Sequence, residues 1–300
     1  MKIGFIGLGK MGYPLVLNIH EKGYHVEAFN RSSDKVNLIK AADVMGHYTL
    51  ASLLSSFGNE QKILWLMVPA GHAVDEMLTA IKPSLNKGDI VIDGGNSKYQ
   101  DTLIRAEALT KIGVHFVDVG TSGGVEGARN GACMMVGGDE DALNQLAPLF
   151  LDLCVPGGFL HTGVTGTGHY VKMIHNGIEY GMMQAIGEGF DILKKSEFSL
   201  DYGAIANVWS NGSIIRGLLM DLTASALVNN GPDLEEVLPI IDAQGEGQWT
   251  VEEAIRLNVS TPVIANSLFV RYHSKSSDQY GNKLVAALRN EFGGHALHKK

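Results

Sequence analysis

The stretch KIGFIGLGKMG, residues 2–12, constrains the chain more than any other. Residues 2–6 are mostly apolar and read as a buried strand. Gly7, Gly9 and Gly12 follow as G-x-G-x-x-G, and a helical pattern then runs to about Lys22, where Gly23 stops it. HVEAFN, residues 25–30, reads as a second strand. A strand, a glycine turn, a helix and a second strand within about thirty residues predict a β-α-β unit. Each glycine has a physical task in it. Gly7 permits the tight turn, Gly9 lets backbone approach a pyrophosphate, and Gly12 lets the helix pack closely on the strand. The helix start offers N–H groups and the positive end of its dipole to phosphate oxygens. A dinucleotide is therefore the expected ligand.

The end of the second strand selects the dinucleotide. A site preferring NAD usually carries Asp or Glu there to accept hydrogen bonds from the ribose. This chain has Asn30, Arg31 and Ser32. No carboxylate repels a 2′-phosphate, Arg31 can pair with one, and Ser32 adds a hydroxyl. NADP is expected, with NAD as the alternative. Asn30 and Ser32 also suit the cap of a following helix.

Further strands are expected at 62–68, 89–94, 114–120 and 132–138, alternating with helices at 32–41, 72–81, 99–112 and 139–151. That rhythm predicts a parallel sheet with helices on both faces. Beyond about residue 162 helical patterns take over, at 168–195, 201–224, 233–241, 249–257, 261–275 and 277–292. We expect an α/β Rossmann-type domain over 1–165, followed by an all-α substrate and dimerisation domain over 166–300, with a cleft between them. Thirty-seven glycines, about 12% against a typical ~7%, point to tight turns and backbone close to a ligand. A net charge of −8 without a Lys/Arg cluster argues against nucleic acid. Cys133 and Cys154 form no metal-ligand pattern and read as small buried hydrophobes; no metal is expected. Glycines and Lys10 interrupt the first apolar run, and ILWLMVPAG is too short to span a bilayer, so a soluble cytoplasmic protein is expected.

The stretch VKMIHNGIEYG, 171–181, places Lys172, His175, Asn176 and Glu179 at i, i+3, i+4 and i+7, one face of a helix. DGGNS (93–97) and GTSGGVEGA (120–128) each follow a strand, where open α/β sheets bind ligands. Asn96, Ser122, Gly123 and Gly124 offer amide, hydroxyl and bare N–H groups. Taken alone, the helical stripe is a surface face whose pairs are worth only tenths of a kcal/mol; beside these loops it reads as chemistry.

Together GLGKMG, NRS, DGGNS, TSGG, KMIHNGIEYG, SIIRG and the tail RNEFGGH resemble the decarboxylating 6-phosphogluconate dehydrogenase family, in its short-chain bacterial form. The first half alone also suits the 3-hydroxyisobutyrate dehydrogenase type, which oxidises without decarboxylation. A non-catalytic NADP sensor is a further alternative. The resemblance implies that Lys172 is the base in hydride transfer from C3 of 6-phosphogluconate and that, after CO2 leaves, Glu179 protonates C1 of the enediol, giving ribulose 5-phosphate. A lysine in that role needs burial or nearby cations. The resemblance adds Lys10, Met11, Val68 and Asn96 to the cofactor set. It makes His175 and Asn176 ligands of substrate hydroxyls, and Tyr180 and Arg216 ligands of the sugar phosphate. Arg289 and His295 match a tail that reaches into a partner subunit's site, which implies a homodimer or tetramer. One departure stands out. Longer members carry a Lys and a Thr in a phosphate-binding loop, and the corresponding DAQGEGQW, 242–249, has neither.

Overall fold

The computed structural model describes residues 1–276, 280–293, 296 and 298. Contacts divide the chain into two compact units, Met1–Asn176 and Gly177–Lys300. The first holds β1 (Lys2–Ile6), α1 (Gly12–Glu21), β2 (His25–Phe29), α2 (Ser33–Lys40), β3 (Met45–His47), α3 (Leu50–Ser56), β4 (Ile63–Leu66), α4 (His72–Ile81), β5 (Ile90–Asp93), α5 (Tyr99–Thr110), β6 (His115–Ser122), α6 (Gly124–Asn130), β7 (Ala132–Gly137), α7 (Glu140–Leu153), β8 (Cys154–Gly163) and the start of α8 (Thr167–Lys195). The strands form one sheet in the order β3-β2-β1-β4-β5-β6-β7-β8. All neighbours are parallel except β6 and β7, which run antiparallel.

Apolar strands bury both faces because successive side chains point to opposite sides. Ile3, Phe5, Ile63, Trp65, Ile90 and Ile92 pack on one side with α1 and α7. Ile6, Leu64, Leu66 and Val91 pack on the other with α3, α4 and α5. Phe5 stacks on Trp65 at 5.8 Å between ring centroids, and Phe150 meets the indole edge-on at 5.8 Å. The chain leaves β1 for β2 and β3 on one side, then crosses to β4 on the other. This reversal opens a crevice at the carboxyl ends of β1 and β4.

Sequence and structure differ in several elements, the unexpected short β3, α3 and α6 among them. The antiparallel β6–β7 pair follows from the short α6 between them, too short a crossover for a parallel return. Strand β8 was not expected, because CVPGGFLHTG reads as a loop; at the sheet edge its proline costs no ladder bond. The expected helix 233–241 is absent, and the segment is irregular. The expected helix 201–224 is two, α9 (Tyr202–Ser210) and α10 (Leu218–Asn230), broken around Gly212 and Gly217 at φ +82° and +147°.

The second unit continues α8 and adds α9, α10, α11 (Glu246–Leu257), α12 (Pro262–Ser274) and α13 (Tyr280–Gly293). It exposes many large apolar side chains, among them Ile214, Leu218, Leu222, Val263 and Leu288. Among the described residues, no helix is long and apolar enough to cross a membrane. Cys133 is exposed and Cys154 partly so, contrary to the expected burial. Cys133 alternates outward between buried Ala132 and Met134, and Cys154 opens the edge strand. Burial of what remains covered pushes the Cys154 thiol up to about 12.

Candidate functional site

The turn after β1 forms a cradle. Gly7 has φ +110°, and its N–H donates to Phe29 O at 2.9 Å. A Cβ on Gly12 would collide with the Gly7 carbonyl, whereas one on Gly9 would meet nothing within 4 Å. Turn and helix are thus packed as tightly as backbone allows, while Gly9 stays open to a ligand. Helix α1 starts with no side-chain cap at Met11, leaving its N-terminal dipole uncovered by side chains. Lys10 is exposed and Met11 partly buried.

Asn30 braces this turn: its Oδ1 accepts from Leu8 N at 3.0 Å. Ser32 occupies the N-cap position of α2 without a capping bond from its hydroxyl. Arg31 is exposed. Gly7, Gly9, Asn30, Arg31, Met67, Val68, Pro69 and Met77 are among the residues lining an open pocket with about 460 Å³ of empty volume. The pocket lies at the carboxyl ends of β1, β2 and β4, where the strand order reverses. A dinucleotide fits these residues: bare backbone beside a helix start for the pyrophosphate, and Arg31 for a ribose phosphate.

A second cluster forms where α8 meets β6. Asp118 is fully buried near the middle of β6. Its Oδ1 accepts from Gly166 N at 2.6 Å and its Oδ2 from His169 N at 2.7 Å. A strand carboxylate therefore caps α8, satisfying N–H groups at the helix start and complementing the dipole. Three residues past His169, Lys172 is 8% exposed. Gly120 is what lets it in, because a Cβ there would collide with Lys172 Cβ and lie 2.9 Å from Gly168 O.

Lys172 Nζ donates to Asn176 Oδ1 at 2.6 Å and lies 3.4 Å from His175 Nδ1. His175 Nδ1 is 3.0 Å from Asn176 Oδ1, and its Nε2 is 3.2 Å from Ser122 Oγ. The structure thus brings Lys172, His175, Asn176 and Ser122 into one network. Along this part of α8 burial does not follow polarity, although Met173 is buried. Lys172 and Asn176 are buried, while Val171 and Ile178 are 38% and 51% exposed. Burying polar groups costs stability unless they are hydrogen-bonded, and here they bond one another.

Gly123 and Gly124 follow Ser122 at φ +110° and +64°. Asn96 is exposed at the tip of the loop after β5. Glu179, seven residues after Lys172 on α8, is partly buried.

In the second unit Tyr180 is buried, its OH accepts from Gln244 N at 3.3 Å, and the Arg271 guanidinium lies 3.4 Å from its ring centroid. Arg271 Nη1 also donates to Asp242 O at 2.9 Å. Sequence reading passed over Arg271; the signal was a lone cation inside the apolar run SLFVRY. Arg216 is exposed in the 211–217 connection, and Arg289 is exposed on α13. His295 lies outside the described residues. Among the described residues, no group of three or more His, Cys, Asp or Glu side chains is placed to hold a metal.

The family model described as the NAD binding domain of 6-phosphogluconate dehydrogenase matches residues 2–156, and that of the 6-phosphogluconate dehydrogenase C-terminal domain matches residues 168–292. The chain is 48% identical over 300 residues to Bacillus subtilis YqeC, a provisionally assigned 6-phosphogluconate dehydrogenase, with 100% of both chains covered. It is 40% identical over 301 residues to the NAD(+)-dependent, decarboxylating 6-phosphogluconate dehydrogenase of Haloferax volcanii, covering 100% of this chain and 99% of that one. The structure of Plasmodium falciparum 6-phosphogluconate dehydrogenase, studied with its cofactor NADP+ and its substrate 6-phosphogluconate, matches with a TM-score of 0.83 at 31% identity; the match covers 100% of this chain and 66% of that one. The glycine cradle, the helical second half and these full-length matches agree: the chain belongs to the 6-phosphogluconate dehydrogenase family of NAD(P)-binding oxidoreductases.

Proposed function

We propose that the protein oxidatively decarboxylates 6-phosphogluconate to ribulose 5-phosphate and CO2, with NADP as the preferred acceptor. The observation that carries the reading is the buried Lys172, hydrogen-bonded to Asn176 and set beside His175 and Ser122. Gly7, Gly9, Lys10, Met11, Gly12, Asn30, Arg31, Ser32, Val68 and Asn96 hold the cofactor, which when bound takes the hydride from C3 of the substrate. Lys172, entering the cycle neutral, removes the C3 hydroxyl proton. The product is a β-keto acid, which carries its own electron sink. The C1–C2 bond breaks, CO2 leaves, and the Lys172 ammonium stabilises the enolate oxygen. Glu179 then delivers a proton to the former C2, now C1 of the enediol, which becomes C1 of ribulose 5-phosphate.

Asn96, Ser122, Gly123, Gly124, His175 and Asn176 orient the sugar acid. Tyr180 and Arg271 hold its phosphate, a reading supported by their stacking and by the absence of Lys and Thr from residues 242–249. Arg216, Arg289 and His295 are the further proposed substrate ligands, the last two acting in a partner's site. The exposed apolar side chains of the second unit support a homodimer.

The test is a 340 nm assay of purified protein with 6-phosphogluconate and either cofactor, with released CO2 trapped. Stoichiometric cofactor reduction and CO2 release are expected. Reduction without CO2 would identify a non-decarboxylating hydroxyacid dehydrogenase, and no reduction with either cofactor would end the assignment.

A further inference from the structure

Arg105 on α5 is 6% exposed, and the network above does not use it. Its Nε donates to Asp75 Oδ1 at 2.7 Å and its Nη2 to Gly71 O at 3.1 Å. Its Nη1 reaches Ser97 Oγ at 3.4 Å and lies 3.8 Å from Asp93 Oδ2. Asp93, fully buried at the end of β5, also accepts from Ser97 Oγ at 2.7 Å and from Gly95 N at 3.1 Å. One guanidinium therefore joins the start of α4 to the loop that carries Asn96.

The α4 side of this joint borders the cofactor pocket. Val68, Pro69 and Met77 line it on the α4 side. The Gly94–Ser97 loop backs directly onto that wall, since a Cβ on Gly95 would lie 2.9 Å from Val68 O. The arm to Asp75 ends on a side chain that is 55% exposed, where an ion pair contributes little to stability. Its geometry serves placement of the loop better than cohesion of the core. Only a planar fork spans these acceptors; a lysine keeps the charge and loses the span.

We propose that Arg105 is a positioning residue that locks the 68–71 connection to the 94–97 loop, so that the cofactor wall and Asn96 move as one piece. The inference rests on the reading of the site given above. It assigns the two arms different consequences: the Asp75 arm governs cofactor affinity, and the Ser97 arm governs sugar-acid turnover.

Asp75→Asn, Ser97→Ala and Arg105→Lys test it. Each is measured for NADPH affinity by fluorescence without sugar acid, for kcat and KM with 6-phosphogluconate, and for thermal unfolding. Asp75→Asn is expected to weaken cofactor binding about tenfold with kcat unchanged. Ser97→Ala is expected to lower kcat about tenfold while weakening NADPH binding less than Asp75→Asn does, and Arg105→Lys to do both. Variants that unfold earlier but keep wild-type affinity and kcat would make Arg105 purely structural and overturn the proposal. Equal effects of Asp75→Asn and Ser97→Ala on both readouts would overturn the division between arms. The NADPH titration needs no substrate, so the clamp is judged even if wild type fails to turn over 6-phosphogluconate.

Discussion

Replacing Asp118 by Asn removes one carboxylate oxygen from the start of α8 and changes almost nothing in volume. In the native protein the two oxygens accept from Gly166 N at 2.6 Å and His169 N at 2.7 Å, inside a fully buried site. A hydrogen bond to a charged acceptor is worth about 1.5–3 kcal/mol. Asparagine keeps one acceptor and turns an NH2 toward the other backbone N–H, so one bond is lost and two donors face each other. The expected cost is about 2–4 kcal/mol, a fall in melting temperature of roughly 5–15 °C for a unit of this size. The helix start loosens at the turn just before Lys172. A displacement of about 1 Å in a reacting group costs up to about a hundredfold in rate. Asp118→Asn should therefore lower kcat about tenfold to a hundredfold at 20 °C, where it stays folded, with little change in NADPH affinity. Urea unfolding followed by circular dichroism, together with the 340 nm assay, measures both effects. An unchanged urea midpoint with unchanged kcat would refute the claim that this carboxylate sets the helix that carries Lys172.

Lys172→Met and Glu179→Gln should each bind NADPH with wild-type affinity yet lose turnover by about a thousandfold or more; retained turnover in either removes that residue from its role. Arg31→Ala should reduce the NADP/NAD ratio of kcat/KM by about tenfold or more, and an unchanged ratio contradicts the 2′-phosphate assignment. Burial pushes the Glu27 carboxyl up, but hydrogen bonds from Lys2, Ser56, His25 and His47 outweigh it and bring the group down to about 2. A depressed carboxyl contributes stability that is complete above its unfolded value of about 4.5 and is lost as pH falls toward 2, here about 3 kcal/mol. Glu27→Gln should lower stability at pH 7 and flatten its decline in that window; an acid-unfolding curve parallel to wild type speaks against the cluster. Truncation after Leu288 should raise the sugar-acid KM by about tenfold or more, and a normal KM removes Arg289 and the tail from the site.

Local chemistry made the cofactor end legible. Gly7, Gly9 and Gly12 occupy positions where a side chain is excluded or unwanted, and such a demand is written directly into residue identity. The run of apolar strands likewise announced a sheet buried on both faces. Lys172, His175 and Asn176 were readable because helical spacing places them together without help from the rest of the chain. Elements whose stability comes from position rather than pattern were missed. Strand β8 holds a proline and two adjacent glycines and survives because it lies at an edge; the 233–241 segment has helical composition but is tied down through Lys194 to Asp233 and Ser274 Oγ to Ile241 N.

The sequence by itself determined the opening β-α-β unit, the glycine turn and the identity of the polar stripe, because each rests on contacts within a few residues. Tertiary structure alone decided which distant groups serve that stripe. Asp118 capping a helix some fifty residues away, Ser122 meeting His175, and Arg271 lying on Tyr180 are pairings across long stretches of chain. Such pairs exist only after the sheet and helices have packed, since no local periodicity fixes which buried carboxylate or cation will stand opposite a given partner.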